Sequence, residues 1–244
     1  MDTTEVPKKG GRTTEALKEA VGVLRGGGVI LYPTDTVWGI GCDATDPAAV
    51  ARVYAIKRRS DSKSLVLLAA DLDMVARYVK AVPNIAIDLV EVNDRPMTLI
   101  YPGAICGMAP AALERSGEVQ NGAICTCEGK KTGVGVQNGP NCTCKTGDKY
   151  HLAWNAVAED GSVGIRIPLP GFWRDLVARL GRPLVSTSAN ISGEPTPRRF
   201  AEITEEIRSA VDYVVPDFLE RGSTGSASQI IKVGLGGEVE IIRA

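Results

Sequence analysis

Leu17, Val21 and Leu24 recur at three- and four-residue intervals through TTEALKEAVGVLR, and the run stops at Gly26, Gly27 and Gly28. That spacing places the three apolar side chains on one face of an amphipathic helix with a glycine terminus. VILYP follows, a β-branched run closed by Pro33, and predicts a buried strand. PTDTVWGIGCDATD then reads as a loop. Asp46 and Pro47 supply a cap and first-turn pair for a second helix with an apolar stripe of Val50, Val53 and Tyr54. Its end delivers Lys57 and Arg59.

SLVLLAA at 64–70 and MTLIY at 97–101 have strand character, with a helical stretch around LDMVARYV between them. VGIRIP at 163–168 is a further strand ending in proline, FWRDLVARLG is a helix closed by Gly181, and PLVST at 183–187 is a buried strand running into the polar turn SANISGEPTP. RFAEITEEIRSAV predicts a last helix, and ASQIIKVGLGGEVEIIRA a hairpin turning on its glycines. Helices and strands alternate with hairpins mixed in. The expectation is an α/β (α+β) fold, a twisted mixed parallel and antiparallel sheet with flanking helices, in a single domain spanning 1–244.

One segment breaks the pattern. Residues 105–151 are rich in Gly, Asn, Thr and Lys, and VQNG occurs at Val119 and again at Val136, seventeen residues later. Each copy carries a Cys-x-Cys pair, Cys125 with Cys127 and Cys142 with Cys144. Such a composition buries little surface, so the segment is expected to be a long loop insertion projecting from the domain. Four thiols with His151 nearby are compatible with zinc, with an unligated loop or with a partner-binding loop. Cys-x-Cys is a weaker zinc signal than Cys-x-x-Cys, and no metal ligand is assigned. Cys42 reads as a core-adjacent thiol and Cys106 as a loop thiol.

Composition narrows the chemistry. With 28 Lys and Arg against 29 Asp and Glu, the chain lacks the basic excess of a general nucleic-acid binder, so the cations of KRRSDSK at 57–63 have a local purpose. A single histidine, His151, leaves Ser/His/Asp and His-based metal schemes almost nothing to draw on. No apolar run is long enough to span a bilayer, and the start, MDTTEVPKKGG, is polar, so a cytoplasmic protein without membrane attachment is expected. The phosphate loop G-x-x-x-x-G-K-[ST] does not occur. Instead, hydroxyls, amides and cations load the loops that leave the strands: PTDT, KRRSDSK, Arg166, STSAN and Ser228. Strand-end loops are where α/β proteins bind ligands.

In this order, GGVILYPTDTVWGIGCDA, AIKRRSDSKSL, PMTLIYPG, VGIRIP and PLVSTSANISGEP resemble the YrdC-type family of threonylcarbamoyl-AMP synthases over residues 14–104 and 152–243. The distinguishing pair is Lys-x-Arg, here Lys57 and Arg59, followed much later by Ser-x-Asn, here Ser188 and Asn190. The resemblance implies a YrdC-like fold in its short, single-domain form. The implied enzyme condenses L-threonine, bicarbonate or carbon dioxide, and ATP with Mg²⁺ to threonylcarbamoyl-AMP and pyrophosphate, for threonylcarbamoyladenosine in tRNA. It implies that Lys57, Arg59 and Lys63 clamp the triphosphate and that Ser186, Ser188 and Asn190 line the nucleotide and carbamate side. Arg243 falls on the ATP side, and Thr34, Thr98, Arg166 and Ser228 on the threonine side, with the Thr98 hydroxyl facing the cavity. Arg58 is expected to face solvent. Partners implied are tRNA or a downstream threonylcarbamoyl transferase.

Departures from the family pattern are Trp38 for a usual tyrosine, Ser64 for a proline, Gln229 for a threonine, and Leu68 near where some members carry histidine. Two other readings fit the same residues: a double-stranded RNA or tRNA-binding module of this fold, and a carbamoyl-adenylating transferase domain.

Overall fold

The computed structural model describes residues 9–59, 65–107 and 150–244. Lys63, Ser64 and the tandem repeat with Cys125, Cys127, Cys142 and Cys144 lie outside them. Strands β1 (Ile30–Tyr32), β2 (Gly39–Gly41), β3 (Val66–Leu68), β4 (Met97–Tyr101), β5 (Val163–Arg166), β6 (Leu184–Ser188), β7 (Tyr213–Val214), β8 (Gln229–Val233) and β9 (Val239–Arg243) form a sheet in the order β7-β1-β2-β6-β3-β5-β4-β8-β9. Pairs β1/β7, β3/β5 and β4/β8 are parallel and the rest antiparallel, so the sheet is mixed as expected.

The helices are α1 (Lys9–Arg25), α2 (Pro47–Ile56), α3 (Leu72–Ala76), α4 (Asn84–Val92), α5 (Phe172–Leu180) and α6 (Glu205–Ala210). The α1 stripe of Leu17, Val21 and Leu24 is buried, and α1 packs on α5 and β1. Asp46 caps α2 as its sequence predicts, its side chain accepting from the amides of Ala48 and Ala49. The helix runs to Ile56, and Lys57 is its C-cap. Gly181 closes α5 at φ 75°, a left-handed position that a side chain reaches only at a cost of about 1 kcal/mol. Leucines and isoleucines of β1 to β5 fill one continuous core, each buried side chain stabilising by roughly 1.5–3 kcal/mol. Among the described residues no helix is long and apolar enough to cross a membrane.

Three expectations are corrected. The loop PTDTVWGIGCDATD contains β2, because Gly39 and Gly41 carry no side chain and let the backbone approach β6. A Cβ on Gly41 would sit 2.5 Å from the Val185 carbonyl oxygen. The helix around LDMVARYV is only α3, and α4 follows it after Pro83. RFAEITEEIRSAV is not one helix: Ile203 and Thr204 are extended, leaving a 3₁₀ turn at Phe200–Glu202 and then α6.

Candidate active site

Sheet register decides which polar side chains meet. Successive strand residues point to opposite faces, and directly paired residues share a face. Gly39 pairs with Ser188, Val66 with both Ser186 and Gly164, and Leu68 with Arg166. One face therefore gathers Gly39, Ser188, Ser186, Val66, Gly164 and Arg166, while Val185, Leu67 and Ile165 go to the other. A cavity of about 320 Å³ lies against the first face. Thr34, Arg59, Arg166, Ser186, Ser188, Ser228 and Arg243 all line it. A second cavity of about 460 Å³ shares Arg59, Thr187 and Ser188 with the first and adds Lys57 and Asn190.

Lys57 sits at the C-terminal end of α2, 3% exposed, with its Nζ donating to the carbonyl oxygens of Ser188 at 2.5 Å and Asn190 at 2.7 Å. An ammonium has three donors, so one remains for a ligand. Burial, and after it the Arg59 charge, pulls the Lys57 pKa down to about 8. The Asn190 amide donates to the carbonyls of Ile191 at 2.9 Å and Glu194 at 2.7 Å, which fixes the turn whose carbonyls hold Lys57. Arg58 has φ 47° and reaches an exposed ion pair with Glu206 at 2.5 Å, so it is solvent-facing as expected while still lining the second cavity.

On the other wall Arg166, the last residue of β5, is 4% exposed. Its Nη1 donates to the Thr36 hydroxyl at 3.0 Å, and its Nη2 lies 3.3 Å from Asp35 Oδ1. Burial pulls its pKa below the ordinary value while Asp35 pulls the other way. The Thr34 hydroxyl donates to the Val37 carbonyl at 2.8 Å and accepts the Thr36 amide at 3.1 Å, which folds the PTDT turn on itself. Segment 222–228 lies across this turn: the amides of Thr224 and Gly225 donate to the carbonyls of Asp35 at 2.9 Å and Thr36 at 2.7 Å. The segment ends at Ser228, whose carbonyl accepts from Arg243 Nε at 2.9 Å and Nη2 at 2.7 Å.

Thr98 is not on the cavity wall. It is 1% exposed and shares a 2.8 Å hydrogen bond with the Ser228 hydroxyl, so it lies behind Ser228 rather than facing the cavity as expected. Its neighbour across the sheet, Ile230, takes the lining position instead. Reasoning from sequence also missed Thr36, Thr187 and Thr196 as lining residues and Asp35 behind them. Asp35, Thr36 and Thr187 stand inside the quoted motifs PTDT and STSAN, whereas Thr196 carried no signal. Trp38 lines the cavity and packs on Phe200 at 4.9 Å between ring centroids. Leu68 is fully buried in the core. Cys42 is buried and Cys106 exposed, as their sequence context suggests.

Fold and cavity define an α/β protein with a cation- and hydroxyl-lined cavity on one face of a mixed sheet. A family model described as "Telomere recombination", spanning the Sua5, YciO and YrdC proteins, matches residues 22–121 and 135–244, and the chain belongs to this family. It is 31% identical over 213 residues to a protein of Stenotrophomonas maltophilia named threonylcarbamoyl-AMP synthase, covering 87% of this chain and 89% of that one. It is 30% identical over 214 residues to one of the same name from Xanthomonas euvesicatoria, with the same shares of each chain, 87% and 89%. Escherichia coli YciO shares the fold at a TM-score of 0.62 and 20% identity, over 94% of this chain and 88% of that one. P. abyssi Sua5 complexed with L-threonine does so at a TM-score of 0.63 and 21% identity, over 89% of this chain. The chain spans only about half of the P. abyssi Sua5 chains it matches, 52% and 50% of their lengths.

Proposed function

We propose that the protein is a threonylcarbamoyl-AMP synthase, joining L-threonine, carbon dioxide or bicarbonate, and ATP, with loss of pyrophosphate. The observation that carries this reading is that two adjoining cavities, lined with hydroxyls and sharing Arg59 and Ser188, bring Lys57 and Arg59 on one side near the buried guanidinium of Arg166 on the other. Threonine's amine takes up carbon dioxide to give a carbamate. A carbamate oxygen then attacks the α-phosphorus in line, and the bond to pyrophosphate breaks. Such a transfer asks for charge neutralisation and for two small substrates held in contact, not for a histidine base.

Lys57, through its third donor, and Arg59 take the triphosphate, with Lys63 as a further cation. Ser186, Ser188 and Asn190 take the nucleotide and carbamate side, and Arg243 the ATP side. Arg166 holds the threonine carboxylate in its planar fork, with Thr34 and Ser228 beside it. Thr98 serves through Ser228. Mg²⁺ enters with the substrate as MgATP, neutralising part of the triphosphate charge. The product supplies a transferase that modifies tRNA in the cytoplasm, and residues 1–244 form one catalytic domain carrying the 105–151 insertion.

Pyrophosphate release from MgATP and bicarbonate, measured with L-threonine, with L-serine and without amino acid, tests the reading. Release that requires threonine and disappears in Arg59→Ala is the expected result. Threonine-independent release would move the protein to the carbamoyl-adenylating class, and no release together with RNA retention would move it to the RNA-binding one.

A further inference from the structure

Asp35 stands in the middle of the threonine arm yet does not line the cavity. It is 1% exposed, and each part of it makes a different contact. Oδ1 faces Arg166 Nη2 at 3.3 Å, Oδ2 accepts the Leu169 amide at 3.2 Å, and the backbone carbonyl accepts the Thr224 amide at 2.9 Å. Three separate pieces of chain, the end of β5, the loop after it and segment 222–228, thus converge on one residue. We propose that Asp35 is a positioning residue for amino-acid recognition, which holds the Arg166 guanidinium in the orientation that meets the substrate carboxylate.

The geometry favours this over simple charge neutralisation. A fully engaged Arg–carboxylate fork has N···O distances of about 2.7–2.9 Å, and the 3.3 Å approach here is looser. Arg166 Nε is buried without a hydrogen-bond partner, so the side chain is not saturated by its protein neighbours, of which only Thr36 accepts a hydrogen bond from it. The Leu169 amide anchors Asp35 Oδ2 and the Thr36 hydroxyl holds one corner of the guanidinium, while Asp35 Oδ1, which makes no hydrogen bond, acts on the other corner through its charge at 3.3 Å. An arginine paired only for neutrality would use the closer two-bond geometry and leave less for a ligand.

This inference rests on the reading of Arg166 as the carboxylate anchor, and the experiment separates the two. KM for L-threonine and for ATP is measured by pyrophosphate release in Asp35→Asn, Arg166→Ala and the double variant, with calorimetric threonine binding and thermal melting alongside. Asp35→Asn keeps the shape and removes the charge; the expected result is a threonine KM raised about 10- to 100-fold with the ATP KM changed less than about twofold. In the Arg166→Ala background the same substitution is expected to add no further loss of threonine affinity. Equal weakening of ATP and threonine, or additive losses in the double variant, would make Asp35 a merely structural residue and overturn the proposal. An unchanged threonine KM in Arg166→Ala would overturn the anchor reading and this inference with it. If Asp35→Asn does not fold, Asp35→Glu, which keeps the charge and displaces it by one methylene, must show the same threonine-selective loss for the proposal to stand.

Discussion

Lys57 and Arg166 are both buried cations beside connected cavities, yet their surroundings differ. Lys57 is held by two neutral carbonyls, so no carboxylate offsets its charge. Arg166 faces a buried carboxylate and a hydroxyl, so its charge is largely compensated while its orientation is fixed. An uncompensated point charge suits a triphosphate, where the gain comes from Coulomb attraction over several oxygens. A compensated planar fork suits a single carboxylate, where the gain comes from shape. In the proposed reaction the two arms would separate strength from selectivity.

The largest blow to this contrast is Lys57→Ala. It removes the cation and leaves the Ser188 and Asn190 carbonyls without their donor, so threonine-dependent pyrophosphate release should fall by about 10²–10³-fold, as steady-state assays would record. Little change would mean that Arg59 alone serves the triphosphate. Next comes Arg166→Lys, which keeps charge and loses the fork. Threonine KM should rise about tenfold or more while the ATP KM holds, and a parallel rise in both would erase the distinction between the arms.

Acidity offers a third, smaller test. With its pKa pulled to about 8, against about 10.4 for an ordinary lysine, folded Lys57 loses its proton before the unfolded chain does. Between those values the unfolded chain binds more protons, so stability without nucleotide rises slightly with pH. ATP affinity runs the other way, because the charge that attracts it is lost. A kcat/KM for ATP that declines above about pH 8, by several-fold at pH 9, is expected in a pH-rate profile, and a flat profile would place the titration elsewhere. Smallest is Thr98→Val. Losing the hydroxyl behind Ser228 should cost about 1 kcal/mol in a denaturant melt and raise the threonine KM only a few-fold. A loss as large as that of Arg166→Lys would show that Thr98 touches substrate after all.

Local signals were readable where one short stretch contains both cause and effect. Asp46 and Pro47 announce α2, the spacing of Leu17, Val21 and Leu24 announces α1, and Gly181 announces the end of α5. β2 was hidden because its Gly39 and Gly41 are strand residues only by virtue of Val185 and Ser188 across the sheet. Residue types at the site were legible through the Lys-x-Arg and Ser-x-Asn motifs, since a triphosphate needs cations and donors wherever it binds. What each side chain does there was less so. Thr98 lies behind Ser228 because β4 and β8 pair in parallel register, and Asp35 matters through Arg166 on β5. Those partners are over a hundred positions away along the chain, beyond any periodicity argument.

β6 enters the sheet between β2 and β3, with Ser188 opposite Gly39 and Leu184 opposite Leu68. These are pairings of high sequence separation, so their closure costs chain entropy that local pairings do not. Until they form, Ser186 and Ser188 are absent from the cavity wall and Lys57 has no carbonyls to hold it. A ligand that needs Ser186, Ser188 and Lys57 together, present at a hundred times its Kd, would therefore add about 2.7 kcal/mol only to the chain whose sheet includes β6.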